Sequence, residues 1–325
     1  MPVDAHRPVP LLFDAEHRPI TTVEGWTRRR VELRQAWRAF LGAIPGPRPA
    51  NTLTVTNDDR IDGVIRQLVT YESERDLPVE AYLLRPAGAG HGRPGVVVFH
   101  STAAWTIRQP AGLEGPDSLH IGLHLARRGY VTFCPRNFLW QYGRPDKLER
   151  AVEWLRQRHP GVTGMAKMLF DASRAVDVLS SQRDVDPRRI GAIGHSLGAK
   201  EVLYLAAFDE RVRASVSSEG GIGLGFSNWD APWYLGETLQ RPGFSLDHGQ
   251  VLGMCAPRAF LLLGGQSADG DRSWPYVAEA MPVWKLNGAA EAVGLFNHRQ
   301  GHAFPAVAQT RSYEWLDWFL KAPST

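Results

Sequence analysis

The sequence predicts an α/β fold, with a mostly parallel central sheet, helices on both faces and an N-terminal antiparallel hairpin. Three observations lead to this. Short apolar runs alternate with helix-length segments through most of the chain. One of the runs, Gly95–His100, is uninterrupted and β-branched, as is typical of strands buried on both faces of a parallel sheet. Near residue 196, a glycine-flanked serine stands between an apolar run and a helical segment.

Composition sets broad limits on the function. The chain has 325 residues, 43% hydrophobic and 22% charged, which is ordinary for a globular protein. The net charge is +3 and no basic block alternates with aromatic residues, so we expect no nucleic-acid partner. No segment is apolar enough for a bilayer or a signal peptide, so we expect no membrane partner and a cytoplasmic location. A secreted chain already trimmed of its signal would look the same. The sequence does not predict the oligomeric state.

The N-terminal 50 residues are predicted to form an arm and a helix. Residues 1–20 are rich in proline and polar residues, which favours an extended arm. Apolar residues from Gly25 to Leu41 recur at helical spacing, with Thr21 or Thr22 as a possible cap. The proline-rich stretch 44–49 then breaks the chain. We therefore expect residues 1–50 to precede a catalytic domain formed by residues 51–325.

The main domain is predicted to begin with a hairpin and to continue as alternating strands and helices. Two alternating segments, Val64–Tyr71 and Val79–Leu84, flank a polar turn and form the hairpin. The remaining strands are expected at 95–100, 130–134, 190–193, 212–216, 259–263 and 293–296. Helices are expected at 117–128, 164–182, 197–208 and 313–320, where apolar residues form one stripe.

Two aromatic-rich insertions, at about 135–160 and 220–249, interrupt this alternation. Both follow the carboxyl ends of predicted strands, where open α/β sheets bind ligands. We therefore expect a substrate wall or lid there, with Trp229 and Trp233 as substrate-binding residues. The alternative is that these aromatic side chains cover the sheet edge as core.

The segment Gly194-His195-Ser196-Leu197-Gly198 has the pattern of a nucleophile elbow. Such a turn is so sharp that Cβ atoms at the flanking glycines would collide with neighbouring backbone. Ser196 is then the predicted nucleophile, and the Leu197 N–H a predicted oxyanion donor. The alternative is an ordinary glycine-rich turn between a strand and a helix.

A serine nucleophile needs a base, and the base needs an orienting acid. His302, between the last strand and the last helix, is the predicted base, with His298 as its rival. The predicted acid is Asp269, ahead of Glu219 and then Asp271, although carboxylates near glycine often only form turns.

The loop that follows residues 96–99 is predicted to supply the second oxyanion donor, from the Thr102 backbone N–H. The sequence has no phosphate-binding glycine loop and no metal-ligand spacing, and Cys134 and Cys255 lie far apart. No cofactor and no metal are therefore expected.

Residues 60–321 resemble the α/β-hydrolase superfamily, most of all its dienelactone hydrolase and acetyl xylan esterase relatives. The stretches that carry this likeness are 100–102, 111–115, 124–131 and 301–304. The chain is also similar to glucuronoyl esterases in Lys200, four residues after the serine, and in the stretches 218–221 and 255–258. This resemblance implies ester hydrolysis through an acyl-serine without a cofactor. It also keeps Glu219 in consideration, because some of those enzymes carry the acid after the earlier strand.

The sequence thus predicts a serine esterase that acts on a carbohydrate-linked or small ester. Lys200, Arg136 and the tryptophans could contact polar sugar rings, although a lysine on a helix is more often structural or solvated. Ser101 and Ala199 stand where many relatives have glycine, which leaves the substrate open. The alternatives are a peptidase, a dienelactone-type lactone hydrolase, or an inactive hydrolase-fold binding protein.

Overall fold

A computed structural model describes residues 10–88, 90–142 and 147–321. Within these ranges, nine strands form a single sheet. They are β1 (Thr54–Ile61), β2 (Val64–Glu74), β3 (Leu77–Pro86), β4 (Arg93–Phe99), β5 (Val131–Pro135), β6 (Val185–His195), β7 (Val212–Ser218), β8 (Ala259–Gly264) and β9 (Val293–Asn297). The order across the sheet is β1-β2-β3-β5-β4-β6-β7-β8-β9.

The sheet is antiparallel at one end and parallel over the rest. Strands β1, β2 and β3 pair antiparallel, and β3 pairs antiparallel with β5. From β5 to β9 every neighbouring pair is parallel. The predicted hairpin and the predicted parallel sheet are both confirmed. The carboxyl ends of the parallel strands meet at one edge of the sheet, so the loops that follow them are brought together.

The described helices are α1 (Val23–Leu41), α2 (Ile121–Arg127), α3 (Phe138–Tyr142), α4 (Glu149–Arg158), α5 (Gly164–Ser180), α6 (Leu197–Phe208), α7 (His248–Met254), α8 (Trp274–Leu286) and α9 (Ala306–Lys321). Helix α6 follows the central strand β6, and all but its last residue are buried. Most of its residues are apolar, as is typical of a helix that is covered all round, and its two ionisable residues, Lys200 and Glu201, are buried as well.

Helix α1 forms as predicted and packs on the same core as the sheet. The Thr22 side chain caps it by accepting a hydrogen bond from the Gly25 N–H. Trp37 is fully buried and stacks on His248 of α7, with ring centroids 5.6 Å apart. The boundary at residue 50 stays a prediction, and residues 1–9 of the predicted arm lie outside the described ranges.

The structure departs from the predicted elements at β1 and at the helix predicted for 117–128, and it adds the unpredicted helices α3 and α4 within the first insertion. Strand β1 is not predicted, because all its residues except the partly buried Ile61 are exposed and the strand shows no hydrophobic alternation. Strand β1 forms because its backbone pairs with β2, the outer strand of the hairpin. The helix predicted at 117–128 is wrong in its first turn, where Asp117–Leu119 form a 3₁₀ turn before α2 begins at Ile121.

No helix in the described ranges is both long and apolar enough to cross a membrane. Part of the first predicted insertion, residues 143–146, lies outside those ranges.

Candidate active site

The turn between β6 and α6 has the geometry of a nucleophile elbow. Ser196 has φ 58° and ψ −116°, a strained conformation for a residue with a side chain. A Cβ on Gly194 would lie 2.3 Å from the Gly198 carbonyl carbon, and a Cβ on Gly198 would lie 2.4 Å from the Phe99 carbonyl oxygen. Both positions therefore require glycine, and the ordinary-turn alternative does not account for this strain.

His302 lies between the serine and a carboxylate. Its Nε2 is 2.9 Å from Ser196 Oγ, and its Nδ1 is 3.1 Å from Glu219 Oε2. Because the Nδ1–H donates to the carboxylate, Nε2 carries no proton and accepts a hydrogen bond from the serine hydroxyl. The rival base His298 instead accepts a hydrogen bond at Nδ1 from the Gln300 N–H. The predicted pairing of Ser196 with His302 is thus present in the structure.

The Glu219 carboxylate is buried and held by backbone donors. It accepts hydrogen bonds from the Gly265 N–H and from the Ala268 N–H, the latter at 2.6 Å. Burial acts to raise the pKa of the Glu219 carboxyl, but the hydrogen bonds from His302 and from these two amides lower it below its ordinary value. The group is therefore ionised when it faces the imidazole.

The ranking of Asp269 as first acid is corrected by this geometry. The Asp269 carboxylate is fully buried and accepts from the Gly221 and Ile222 N–H groups and from the Ser273 hydroxyl, at 2.6, 2.9 and 2.7 Å. It thus anchors the turn that follows Glu219. Glu219, in return, is bonded to the loop that carries Asp269, so each loop places a carboxylate on the amides of the other.

Asp271, the third acid candidate, is also corrected. It is exposed and paired with Arg299 at 2.9 Å and with Asn297 at 2.8 Å. This carboxylate holds the exposed side of the loop that carries His302, whereas the imidazole Nδ1–H donates to Glu219.

The predicted oxyanion donors lie on the loops that flank the serine. Leu197 is the first residue of α6, so its N–H has no partner within the helix. In the loop after β4, the Ser101 N–H donates to Gln109 Oε1 at 3.3 Å and the Ser101 carbonyl contacts His100 Nδ1 at 2.8 Å. Ser101 is thus occupied on both sides, and Thr102 carries the next N–H. Its role as second donor stays a prediction.

Lys200 and Trp229, two predicted substrate contacts, are buried against each other. The Lys200 ammonium donates to Ser227 Oγ at 2.7 Å and lies 3.8 Å from the centre of the Trp229 ring. Burial lowers the pKa of Lys200 to about 7, against the opposing effect of the Asp269 charge. Trp229 is 1% exposed and its Nε1–H donates to the Gly221 carbonyl. Both are corrected from substrate contacts to buried supports of this segment, whereas the half-buried Trp233 stays a prediction.

Sequence reasoning assigned no role to two side chains that shape the site, Gln109 and His195. Gln109 is buried and orients the oxyanion loop, but nothing in its sequence surroundings marks it. His195 occupies the variable position before the serine, and it contacts the His302 carbonyl. The only available signal was a polar residue at the end of an apolar strand.

Another buried acid, Glu201, lies on α6. It is 4% exposed, and its burial raises the pKa of the carboxyl to about 8, with the Asp171 charge acting in the same direction. The folded protein therefore keeps the proton at pH values where the unfolded chain has lost it.

We expect Glu201→Gln to remove a pH dependence of stability. As the pH rises from about 4.5 to about 8, wild type binds more protons folded than unfolded, so its free energy of unfolding falls. At about 1.4 kcal/mol for each pKa unit, the loss amounts to several kcal/mol. Urea unfolding at pH 5 and pH 8 checks this. Relative to wild type, the free energy of unfolding of the variant should be higher at pH 8 than at pH 5. An equal difference at both pH values would contradict it.

The arrangement of Ser196, His302 and Glu219 is suited to acyl transfer. A serine hydroxyl is bonded to an imidazole that a buried carboxylate orients, beside backbone N–H groups at a helix start. In the described ranges, no three His, Cys, Asp or Glu side chains are grouped to hold a metal ion.

Comparison with known proteins finds similarity to hydrolases and esterases. Residues 79–229 match the dienelactone hydrolase family. The protein YtaP of Bacillus subtilis (strain 168) is 25% identical over 308 residues, which cover 90% of this chain and 100% of that protein. The 4-O-methyl-glucuronoyl methylesterase of Hypocrea jecorina (strain QM6a) is 21% identical over 94% of this chain and 68% of its own length.

Among solved structures, a glucuronoyl esterase from Solibacter usitatus superposes with a TM-score of 0.77 at 18% identity, covering 95% of this chain and 97% of that one. At this identity the likeness establishes the fold. The chain therefore has an α/β-hydrolase fold, and its residues 79–229 are similar to the dienelactone hydrolase family.

Proposed function

We propose that the protein is a serine esterase that cleaves carboxylic esters through an acyl-serine intermediate. The observation that carries this proposal is the unbroken chain of contacts from Ser196 Oγ through His302 to Glu219, at 2.9 and 3.1 Å. Each group has the partner that its role requires. The serine hydroxyl faces an unprotonated nitrogen that can take its proton, and the imidazole faces an ionised carboxylate that orients the ring.

In the first half of the reaction, Ser196 Oγ attacks the ester carbonyl while His302 Nε2 takes the hydroxyl proton. The negative charge on the carbonyl oxygen is stabilised by the Leu197 N–H and the Thr102 N–H. The tetrahedral intermediate then collapses, the imidazolium gives its proton to the departing alcohol, and the acyl-serine remains.

In the second half, His302 activates a water molecule that attacks the acyl carbon. The proton returns to Ser196 as the acid product leaves. Glu219 remains ionised throughout and stabilises the positive ring each time it forms.

A carbohydrate-linked ester is the substrate class that we favour. The support is similarity along nearly the whole chain to proteins described as glucuronoyl esterases, together with the resemblance of the stretch 218–221 to such enzymes. The aromatic segment that follows β7 also lies at the edge where a sugar would bind.

The test combines a covalent probe with a substrate panel. We expect a fluorophosphonate to label Ser196, as identified by peptide mass spectrometry, and p-nitrophenyl acetate to be hydrolysed. The panel contains the methyl ester of 4-O-methyl-glucuronic acid, acetylated xylan, a lactone and a peptide. We expect kcat/KM to be highest for a sugar-linked ester. Preference for the lactone or peptide would contradict the substrate class, and an unlabelled serine would contradict the esterase function.

A further inference from the structure

His195 connects the nucleophile's strand to the loop that carries the base. It is the last residue of β6 and pairs in register with Ser218 of β7. Only 3% of it is exposed. Its Nδ1 lies 3.1 Å from Ser218 Oγ, and its Nε2 lies 3.2 Å from the His302 carbonyl oxygen. One buried ring therefore has a partner on each side, in two separate elements.

These two partners fix the tautomer of the ring. A carbonyl oxygen can only accept, so the proton is on Nε2, and the bare Nδ1 accepts from the Ser218 hydroxyl. Burial lowers the pKa of His195 to about 4, and the neighbouring His302 acts in the same direction. The ring therefore stays neutral near pH 7, and it keeps this tautomer even while the catalytic imidazole is protonated.

The loop that carries the base has little packing of its own. Residues 299–303 are all exposed, and the His302 side chain is 46% exposed. The buried ring of Phe304 follows directly and lies 5.9 Å from the His195 ring. On the other side, the Ser218 carbonyl accepts the Ser196 N–H at 2.8 Å. His195 and its partner Ser218 thus contact the backbone of both reacting residues.

We propose that His195 is a positioning residue that fixes the His302 backbone so that the catalytic ring reaches Ser196 Oγ. This role rests on the proposed function. His195 acts through His302, so its loss should impair the chemical step more than substrate binding. Small displacements of a reacting group are costly, with about a hundredfold in rate for roughly 1 Å.

Two amide substitutions separate the contacts of the ring. The glutamine amide of His195→Gln reaches about as far as Nε2 and can still donate to the His302 carbonyl. The shorter amide of His195→Asn reaches only the Ser218 side. We expect His195→Asn to lower kcat by about tenfold to a hundredfold with KM nearly unchanged. His195→Gln should keep most of the wild-type kcat.

The readouts are kcat and KM for p-nitrophenyl acetate, and the rate of fluorophosphonate labelling of Ser196, which depends on no particular substrate. His159→Asn is the matched control, because His159 is also buried and bonded, to Glu74 at 2.8 Å, outside the site. Thermal unfolding establishes that each variant is folded.

The expected result is slower labelling in His195→Asn and near-normal labelling in His195→Gln and His159→Asn. Wild-type rates in folded His195→Asn, or equal losses in the two His195 variants, would overturn the positioning role alone. An unlabelled wild-type protein would overturn the esterase function, and this role with it.

Discussion

Ser196→Ala is expected to lower kcat for ester hydrolysis by about four to six orders of magnitude, because among the described residues the Ser196 hydroxyl alone is bonded to the His302 imidazole. KM should change little, since the hydroxyl acts only in the chemical step. The substitution removes one oxygen atom from a residue whose backbone is already strained at φ 58°, and alanine adds no new clash. The measurement is steady-state kinetics with p-nitrophenyl acetate, together with fluorophosphonate labelling.

Ser181→Ala is the matched control. Its hydroxyl donates to the Val178 carbonyl at the end of α5, away from His302, so activity should be retained. If Ser196→Ala kept its fold and still turned over the ester at a rate near wild type, the nucleophile would have to be another residue.

Glu219→Gln is expected to lower kcat by about a thousandfold or more, because a neutral amide neither stabilises the imidazolium nor fixes its tautomer. The amide nitrogen would also face the Gly265 or Ala268 N–H, two donors that the carboxylate now satisfies. Asp269→Asn should reduce kcat by only about tenfold, since Asp269 contacts the turn after Glu219 rather than the imidazole.

Comparing these two isosteric variants decides which carboxylate is the acid. Steady-state kinetics should be accompanied by urea unfolding, because Asp269→Asn disturbs three buried hydrogen bonds and should lose stability. A larger loss of kcat in folded Asp269→Asn than in Glu219→Gln would reverse the assignment made from the structure.

The main lines of the fold could be predicted because the sequence patterns are local. A strand, a glycine-flanked serine and an apolar helix follow one another around Ser196, and each has its own signal. His302 could be predicted because its place between the last strand and the last helix is fixed by chain order. Strand β1 could not, because a polar edge strand owes its structure to pairing with β2 rather than to any pattern of its own.

The acid could not be chosen from the sequence because two adjacent loops each carry a carboxylate. Strands β7 and β8 are neighbours, so both Glu219 and Asp269 follow strands that end beside the serine. Two structural features decide between them. The backbone of Glu219 has a positive φ of 55°, which turns the chain after β7. The carboxylates of Glu219 and Asp269 each accept hydrogen bonds from the amides of the other loop. Similarly, an aromatic residue in an insertion gives no sign of whether it is exposed, and Trp229 proves to be buried.

The His302 imidazole is nearly half exposed, while the Glu219 carboxylate that it contacts is completely covered. The carboxylate side of the imidazole is thus shielded from water, whereas the side that faces Ser196 is open to bulk solvent. Solvent can therefore replace a departing alcohol beside the ring without rearrangement of the chain, and a long polymer attached to that alcohol could trail outward instead of threading into the protein. The geometry thus sets few size limits on the leaving half of the ester, so selectivity would depend on the acyl half.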